Sequence, residues 1–180
     1  METSFLYSLE GQETERLLFR PVRESDFDTW LRFCAFPDSL KYIFSQEQLA
    51  VNDPLEYCKM WFTRINKRYE NKLGGMNALI DKQTHEMVGQ CGLLIQTIDD
   101  LEELEIGYSL MPEYRGKGYA LEAASKCKEF AFDNNFRDSL ISTIHIENDA
   151  SAKVAKANGM YLDKTTISQG DPVNIFRIKK

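Results

Sequence analysis

Two glycines and two basic residues stand close together in residues 115–120, which read Arg-Gly-Lys-Gly-Tyr-Ala. They lie between a predicted strand and the most regular predicted helix, so the unpaired N–H groups of the helix start point toward one spot. Glycine lets the backbone approach a ligand and adopt positive φ, and Arg115 and Lys117 add positive charge beside those amides. The segment therefore predicts an anion site, and pyrophosphate is its natural ligand.

Two common phosphate-binding signatures can be tested by counting from these glycines. A dinucleotide fingerprint that starts at Gly116 requires glycine where Leu121 stands. A P-loop that ends at Lys117 requires glycine where Met111 stands, and Ser or Thr where Gly118 stands. Both counts fail, which disfavours a nucleotide- or dinucleotide-binding domain. The alternative to an anion site is that the two glycines only make a tight turn between a strand and a helix.

The elements that must position this turn follow from the spacing of apolar residues and from turn residues. Alternating or β-branched apolar residues predict strands at residues 17–22, 76–80, 87–95, 104–110, 139–146, 161–166 and 173–178. Capping residues and helical spacing predict helices at residues 25–33, 54–69, 119–133 and 149–158. This order predicts a mixed α/β fold in which the strand before the glycine turn, the long helix and the next strand form one crossover unit.

Two finer expectations concern the neighbours of that unit. The acidic residues 99–103 are expected to connect two strands. On the long helix, Glu122 is expected to pair with Lys126 on the outer face, and Asn134 and Asn135 to close the helix.

Length and composition exclude several classes of protein. The chain has 180 residues, which predicts a single domain spanning residues 1–180, and its net charge of −6 disfavours nucleic acid as a partner. No apolar run is long enough to span a membrane, and the first five residues lack the features of a secretory signal, so a cytoplasmic location is expected. The four cysteines are far apart and only two histidines are present, which predicts buried thiols and no metal site.

Residues 115–120 match the R/Q-x-x-G-x-G/A acetyl-CoA motif of the GNAT superfamily of N-acetyltransferases, which the chain therefore resembles. Five further segments resemble the RimJ/RimL-like branch, the ribosomal-protein alanine N-acetyltransferases: residues 14–21, 105–108, 121–123, 148–151 and 158–160. The resemblance covers most of the chain. It implies a mixed, mostly antiparallel central sheet of about six or seven strands, with helices on both faces and splayed central strands that hold acetyl-CoA.

The resemblance also implies which residues hold that cosubstrate. Backbone groups of Tyr108, Ser109 and Leu110 would pair with the pantetheine arm, and an N–H near Leu110 would polarise the thioester carbonyl. The pyrophosphate would lie at the glycine turn and the first helical turn, formed by Arg115, Gly116, Lys117, Gly118, Tyr119, Ala120 and Leu121. Asn148 would bond the pantetheine. An alternative for Asn148 is helix capping alone.

Acetyl transfer by direct attack of an amine requires removal of a proton from the ammonium group. Glu105 is the candidate base, directly or through water, because it shares the face of Gly107 beside the expected splay; a merely paired carboxylate is the alternative. His145 is a second candidate, and a core histidine is its alternative. Many superfamily members carry a tyrosine as general acid where Ala155 stands here, so that role is not transferred. In the RimL-like pattern Ser151 serves the leaving thiolate, and capping is again the alternative.

The resemblance implies that the helical segment carrying Tyr42, Phe44, Tyr57 and Trp61 roofs the acceptor side. Tyr42, Tyr57 and Trp61 are the candidate acceptor-binding residues, and the alternative for most of these side chains is a place in the core. The resemblance implies a monomeric or homodimeric N-acetyltransferase that acts on the N-terminal amine of a protein or on a small-molecule amine. A different class remains open, a catalytically silent acyl-CoA-binding sensor or regulatory module, because the tyrosine is missing and the base is unproven.

Overall fold

A seven-stranded sheet forms the centre of the molecule. The computed structural model describes residues 7–180, apart from the side chains of residues 37 and 46. The strands are β1 (Leu17–Pro21), β2 (Gly74–Asp81), β3 (Met87–Ile98), β4 (Leu101–Leu110), β5 (Ser139–His145), β6 (Tyr161–Ser168) and β7 (Asp171–Lys179). Their spatial order is β1-β2-β3-β4-β5-β7-β6. All neighbours are antiparallel except β4 and β5, which are parallel.

Helices cover both faces of this sheet. Within the described residues they are α1 (Phe27–Cys34), α2 (Pro37–Leu40), α3 (Gln46–Leu49), α4 (Pro54–Glu70), α5 (Tyr119–Asp133) and α6 (Asp149–Ala157). Helices α1 and α4 contact each other and share an apolar cluster with Leu94 of β3, whereas α5 packs with Leu93. Successive strand residues point to opposite faces. Helices α4 and α5 therefore lie on opposite sides of the sheet.

Helix α4 begins where the sequence predicts it and buries one face. Pro54 occupies its first turn, where no N–H is needed, and the Asp53 carboxylate accepts a hydrogen bond from Leu55 N at 2.9 Å. Cys58 is completely buried and Ile65 is 4% exposed, in the cluster that α4 forms with α1 and the sheet. The remaining faces are free to meet solvent or a cavity.

Helix α5 packs on the sheet through small side chains. Ala123, Ala124, Cys127 and Ala131 are completely buried against β3 and β4. Alanine favours the helix and lets the backbone approach the sheet closely. The helix spans the predicted residues 119–133, and Asn134 caps its C-terminus.

The mixed, mostly antiparallel sheet with helices on both faces is confirmed, as is the predicted order of the strands and longer helices. The short helices α2 and α3, between the first two predicted helices, were not predicted. The expectation that residues 99–103 form a connection is wrong, because only Asp99 and Asp100 turn the chain, both at positive φ, and β4 begins at Leu101. The expected Glu122–Lys126 pair is also wrong. The Glu122 carboxylate instead accepts hydrogen bonds from the backbone N and Nε of Arg16 at 2.9 and 2.6 Å.

The cysteines are buried thiols, as predicted. All four are free and buried, and the sulfurs of Cys91 and Cys127 lie 3.5 Å apart between the sheet and α5. In the described part of the chain, no helix has the length and apolar character to cross a membrane, and no cluster of three or more metal-ligating side chains is found. The first five residues, used for the expected location, lie outside the described range.

Candidate active site

The parallel strands β4 and β5 diverge and open a cleft. Only Glu105 and Ile141 are paired between them, and the Ser142 hydroxyl donates to the Ile106 carbonyl oxygen at 2.8 Å. Beyond that point the strands no longer pair, whereas β4 remains paired with β3 as far as Leu110. A cavity of about 880 Å³ occupies the gap and extends to the face covered by α4.

Backbone groups of β4 point into this gap. The N–H of Met111 donates to the Val88 carbonyl at 3.0 Å, so Met111 and every second residue before it bond toward β3. Tyr108 and Leu110 fall between those residues, and their N–H and C=O groups therefore face the gap. These are the backbone positions that an extended ligand could use as a neighbouring strand.

A side-chain bridge sets the width of the cleft. The Tyr108 hydroxyl donates to the Ser151 carbonyl oxygen at 2.8 Å, which links β4 to the first turn of α6. Burial raises the pKa of the Tyr108 phenol, so the hydroxyl remains a protonated donor. The same side chain packs against the apolar cluster beneath α5. Tyr108 therefore holds the two walls at a fixed distance.

The glycine turn lies at one end of the cleft. Gly116 and Gly118 have φ values of 73° and 84°, in the left-handed region that favours glycine. The first intrahelical bond of α5 is donated by Glu122 N to Gly118 O at 3.1 Å. The N–H groups of Tyr119, Ala120 and Leu121 precede this bond and have no partner within the helix. Their geometry is that of an anion site.

Basic side chains hold this turn in place. Arg115 donates from Nε to Leu110 O at 3.1 Å and from its guanidinium to Ser39 Oγ at 2.6 Å. Arg16 donates to the Lys117 carbonyl oxygen at 3.0 Å. Arg115 thus fixes the backbone as well as adding charge to the cavity wall, whereas the Lys117 ammonium lies 5.3 Å from the ring centroid of Tyr114.

The predicted pyrophosphate residues do not all line the cavity. Gly116 and Ala120 line it together with Arg115, whereas Lys117, Gly118, Tyr119 and Leu121 do not. The Tyr119 ring lies 4.2 Å from the Arg16 guanidinium carbon, and its hydroxyl donates to Asp81. Any role of these four residues in anion binding therefore falls to their backbone groups, and the charge expected from the Lys117 side chain lies outside the cavity lining.

Glu105 lies on the face of β4 that points toward α4. It is buried, accepts hydrogen bonds from Thr143 N at 3.0 Å and Gln96 Nε2 at 2.7 Å, and lines the cavity. Burial raises the pKa of the Glu105 carboxyl, while these two hydrogen bonds and the charge of Arg68 oppose that rise. A carboxyl with a raised pKa is a stronger base once it is deprotonated.

The other predicted catalytic and pantetheine residues lie on the opposite wall. The His145 ring stacks on Tyr42 with centroids 5.0 Å apart, and its Nδ1 accepts from Glu147 N at 3.2 Å. Asn148 is the N-cap of α6, and its side chain accepts from Ser151 N at 3.1 Å. The cap uses only the backbone N–H of Ser151, so the Ser151 hydroxyl at the cavity wall is not needed for it.

The position where a tyrosine could have served as acid faces the core. Ala155 is completely buried and belongs to a cluster with Ile144, Met160 and Phe176. A large phenol side chain would not fit there without moving these neighbours.

Two of the three predicted acceptor residues line the cavity. Tyr42 and Trp61 do so, and the Trp61 indole N–H donates to Gln90 at 3.1 Å. The prediction for Tyr57 is not supported, because its hydroxyl donates to Leu49 O at 2.6 Å and accepts from Asn52 N at 2.7 Å. Tyr57 therefore fastens the loop between α3 and α4, outside the cavity lining.

Three polar residues of the acceptor side that were not predicted from the sequence also line the cavity: Arg64, Arg68 and Gln96. Trp61, Arg64 and Arg68 are three and four residues apart on α4, so they share one face of that helix. That spacing was a usable signal. Its meaning depended on knowing that this face meets a cavity.

The chain is similar in sequence to known proteins. A sequence model of the GNAT acetyltransferase domain matches residues 16–161. YkkB of Bacillus subtilis is 35% identical over 118 residues, 64% of this chain and 69% of that protein. The N-acetyltransferase p20 of Bacillus licheniformis is 28% identical over 147 residues, 81% of this chain and 79% of that protein.

Solved structures share the fold. An acetyltransferase from Agrobacterium tumefaciens superimposes with a TM-score of 0.76 at 25% identity, over 100% of both chains. RimL, a ribosomal-protein acetyltransferase solved with coenzyme A, gives 0.71 at 18% identity, over 94% of this chain and 97% of its own. The family resemblance read from the motifs is confirmed: the chain belongs to the GNAT acetyltransferase family.

Proposed function

We propose that the protein transfers an acetyl group from acetyl-CoA to a primary amine by direct attack within a ternary complex. The proposal takes residues 1–180 as one acetyltransferase domain in the cytosol, monomeric or homodimeric. The observation that carries it is the gap between β4 and β5, with the N-terminus of α5 at one end and Glu105 on its acceptor face. A catalytically silent binding module would need the gap and the N-terminus of α5 but not Glu105.

The shape and polarity of the cleft support acetyl-CoA as the cosubstrate. Its backbone groups at Tyr108 and Leu110 are spaced for an extended arm that carries amides, and the free N–H groups at the start of α5 suit a diphosphate. The cavity of about 880 Å³ is large enough for most of such a ligand. RimL and a spermidine N-acetyltransferase from Vibrio cholerae, which share the fold, were both solved with coenzyme A.

Acetyl-CoA supplies the acetyl group as a thioester. In our proposal the N–H of Leu110 donates to the thioester carbonyl oxygen and stabilises the negative charge that develops there. Glu105 takes the proton from the acceptor ammonium, directly or through water, and the bonds from Thr143 and Gln96 hold its carboxylate toward the cavity.

The leaving thiolate needs little help. The pKa of a thiol is about 8.5, so the thiolate is stable enough to be protonated by water. Ser151 lines the cavity, and we assign its hydroxyl to protonating or hydrogen-bonding the sulfur. His145 is held by Tyr42 and by Glu147 N, and we keep it as the second candidate base.

The proposal is tested by mass spectrometry of acetylated products. The purified chain is incubated with acetyl-CoA and an amine panel of N-terminal peptides, polyamines, amino acids and their amides. Amine-dependent product formation supports the proposal. Acetyl-CoA binding in calorimetry with no product from any amine class supports the silent module instead. Binding of ATP or NAD in place of acetyl-CoA would overturn both.

A further inference from the structure

A half-buried arginine that has no anionic partner among the described residues lies on the acceptor side of the cavity. Arg64 lines the cavity from α4, and its guanidinium carbon lies 5.2 Å from the ring centroid of Phe44. It forms no ion pair or hydrogen bond with any side chain or backbone group that the structure describes. Burial lowers the pKa of Arg64, and no nearby carboxylate opposes that effect.

The other arginines of the cavity are already bonded to the protein. Arg68 donates to Leu73 O, Ile95 O and Gln96 Oε1 at 3.3, 3.0 and 3.0 Å. Arg115 donates to Leu110 O and Ser39 Oγ. A guanidinium has five N–H donors, and those left unbonded in a partly desolvated site are costly. The donors of Arg64 are therefore available to a ligand.

Arg64 lies beside residues that lead to Glu105. Arg64 and Arg68 are about one helical turn apart, roughly 6 Å along the axis. Arg68 bonds Gln96, which bonds Glu105. An anion at Arg64 and an amine at Glu105 would thus both lie on the side of the cavity that α4 covers.

The wall beside these polar groups is apolar. Phe33, Trp61, Ile65, Met76 and Leu94 line this part of the cavity. They offer a surface for an apolar body of the acceptor, and they also disfavour a doubly charged group. A carboxylate has one charge, and its two oxygens match the parallel donors of a guanidinium.

We propose that the acceptor is a small amino carboxylate with an apolar body, whose carboxylate is bound by Arg64 while its amine meets Glu105. The inference rests on the proposed acetyl transfer and adds the substrate class. Other charged groups of the cavity do not compete for this carboxylate, because Arg115 and Asp38 interact with each other and Lys153 lies on α6 at the opposite wall.

The test compares matched amines. Apolar L-amino acids such as phenylalanine and leucine are assayed beside their amides and their decarboxylated amines, with acetyl-CoA and detection of product by mass spectrometry. The variants are Arg64→Gln, Arg64→Lys and, as a control on the exposed side of the same helix, Lys67→Gln. For each pair, the ratio of kcat/KM for the acid to kcat/KM for the amide is compared between variant and wild type. This comparison cancels the intrinsic reactivity of the amines.

The wild type and Lys67→Gln are expected to favour the acids. Arg64→Gln is expected to lower kcat/KM for the acids by about 10- to 100-fold and for the amides by less than about threefold. For Arg64→Lys, kcat/KM for the acids is expected to lie between the values of the wild type and Arg64→Gln, because lysine keeps the charge but lacks the paired donors. Calorimetry with coenzyme A present repeats the comparison without turnover, using the N-acetyl amino acids and their amides as product ligands.

The outcomes separate the two proposals. If amides and simple amines are acetylated as well as the acids, and Arg64→Gln leaves the ratios unchanged, the substrate class is overturned and acetyl transfer stands. If no amine is acetylated and the N-acetyl acids bind no better than their amides, both proposals are overturned. Folding of Arg64→Gln is verified by its thermal unfolding, and Arg64→Lys decides the case if that variant is unfolded.

Discussion

The anion site at the glycine turn is tested most directly by a carboxylate at Gly116. Gly116 lines the cavity at φ 73°, and a Cβ built there meets nothing within 4 Å. A glutamate side chain therefore fits, but it would repel a bound diphosphate and take its place. Two unit charges about 5 Å apart at an effective dielectric constant of about 20 repel by about 3 kcal/mol, which is roughly a hundredfold in Kd.

Gly11 supplies a matched control for this substitution. It has φ 76°, a Cβ there also meets nothing within 4 Å, and it does not line the cavity. Gly11→Glu and Gly116→Glu therefore add the same charge and carry the same backbone cost, about 1–2 kcal/mol for a left-handed residue. They differ only in distance from the proposed diphosphate.

The assay is thermal unfolding with and without acetyl-CoA at 100 times the wild-type Kd. For wild type and Gly11→Glu, binding adds about 2.7 kcal/mol and raises the Tm by roughly 5–10 °C. For Gly116→Glu, a hundredfold weaker Kd leaves about 0.4 kcal/mol, a rise of roughly 1 °C. Equal ligand-induced shifts in the two variants, large or small, would refute the assignment of the diphosphate to this turn.

Three further substitutions test the cleft and its support. Glu105→Gln is expected to lower kcat by about 10²- to 10⁴-fold with little change in acetyl-CoA affinity. Burial raises the pKa of Glu105, so kcat/KM of the wild type is expected to rise as pH increases through that raised pKa. Glu105→Gln is expected to lack this rise. If the variant keeps the wild-type pH–rate profile, Glu105 is not the base. Ser151→Ala is expected to slow single-turnover acetyl transfer more than it weakens binding, at unchanged Tm, because the helix cap uses only the Ser151 N–H. Glu122→Gln is expected to lower the free energy of unfolding by about 1–3 kcal/mol at pH 7. Burial acts to raise the pKa of Glu122, but its hydrogen bonds and the Arg16 charge lower it, so this stability is lost as pH falls through the lowered pKa. Urea unfolding at pH 7 and pH 4 measures the difference in the free energy of unfolding between variant and wild type. A difference that is no smaller at pH 4 than at pH 7 contradicts this prediction.

Local signals made the crossover unit readable from the sequence. The strand, the glycine turn and helix α5 are consecutive, and the bonds that define them connect near neighbours in the chain. The predicted bounds of α5, residues 119–133, agree with the structure for that reason. The turn needs positive φ at Gly116 and Gly118, and only glycine adopts it without strain.

Long-range contacts caused the errors. Asp99 and Asp100 form a two-residue turn at positive φ, and Leu101 to Glu103 then pair with β3, although acidic residues are poor strand formers. Glu122 bonds to Arg16, which is 106 positions away in the sequence, and not to Lys126 on its own helix. A contact between distant segments is not visible in local periodicity.

The sequence by itself determined the family, the element order and the glycine turn, because motif spacing and helix or strand periodicity are local properties. The tertiary structure alone decided which face of α4 meets the cavity, that Tyr57 fastens a loop, and that Arg64 has no anionic partner in the described protein. The position of the cavity depends on where β4 and β5 separate. The separation is set by packing and by the Tyr108–Ser151 bridge, whose two ends are 43 residues apart.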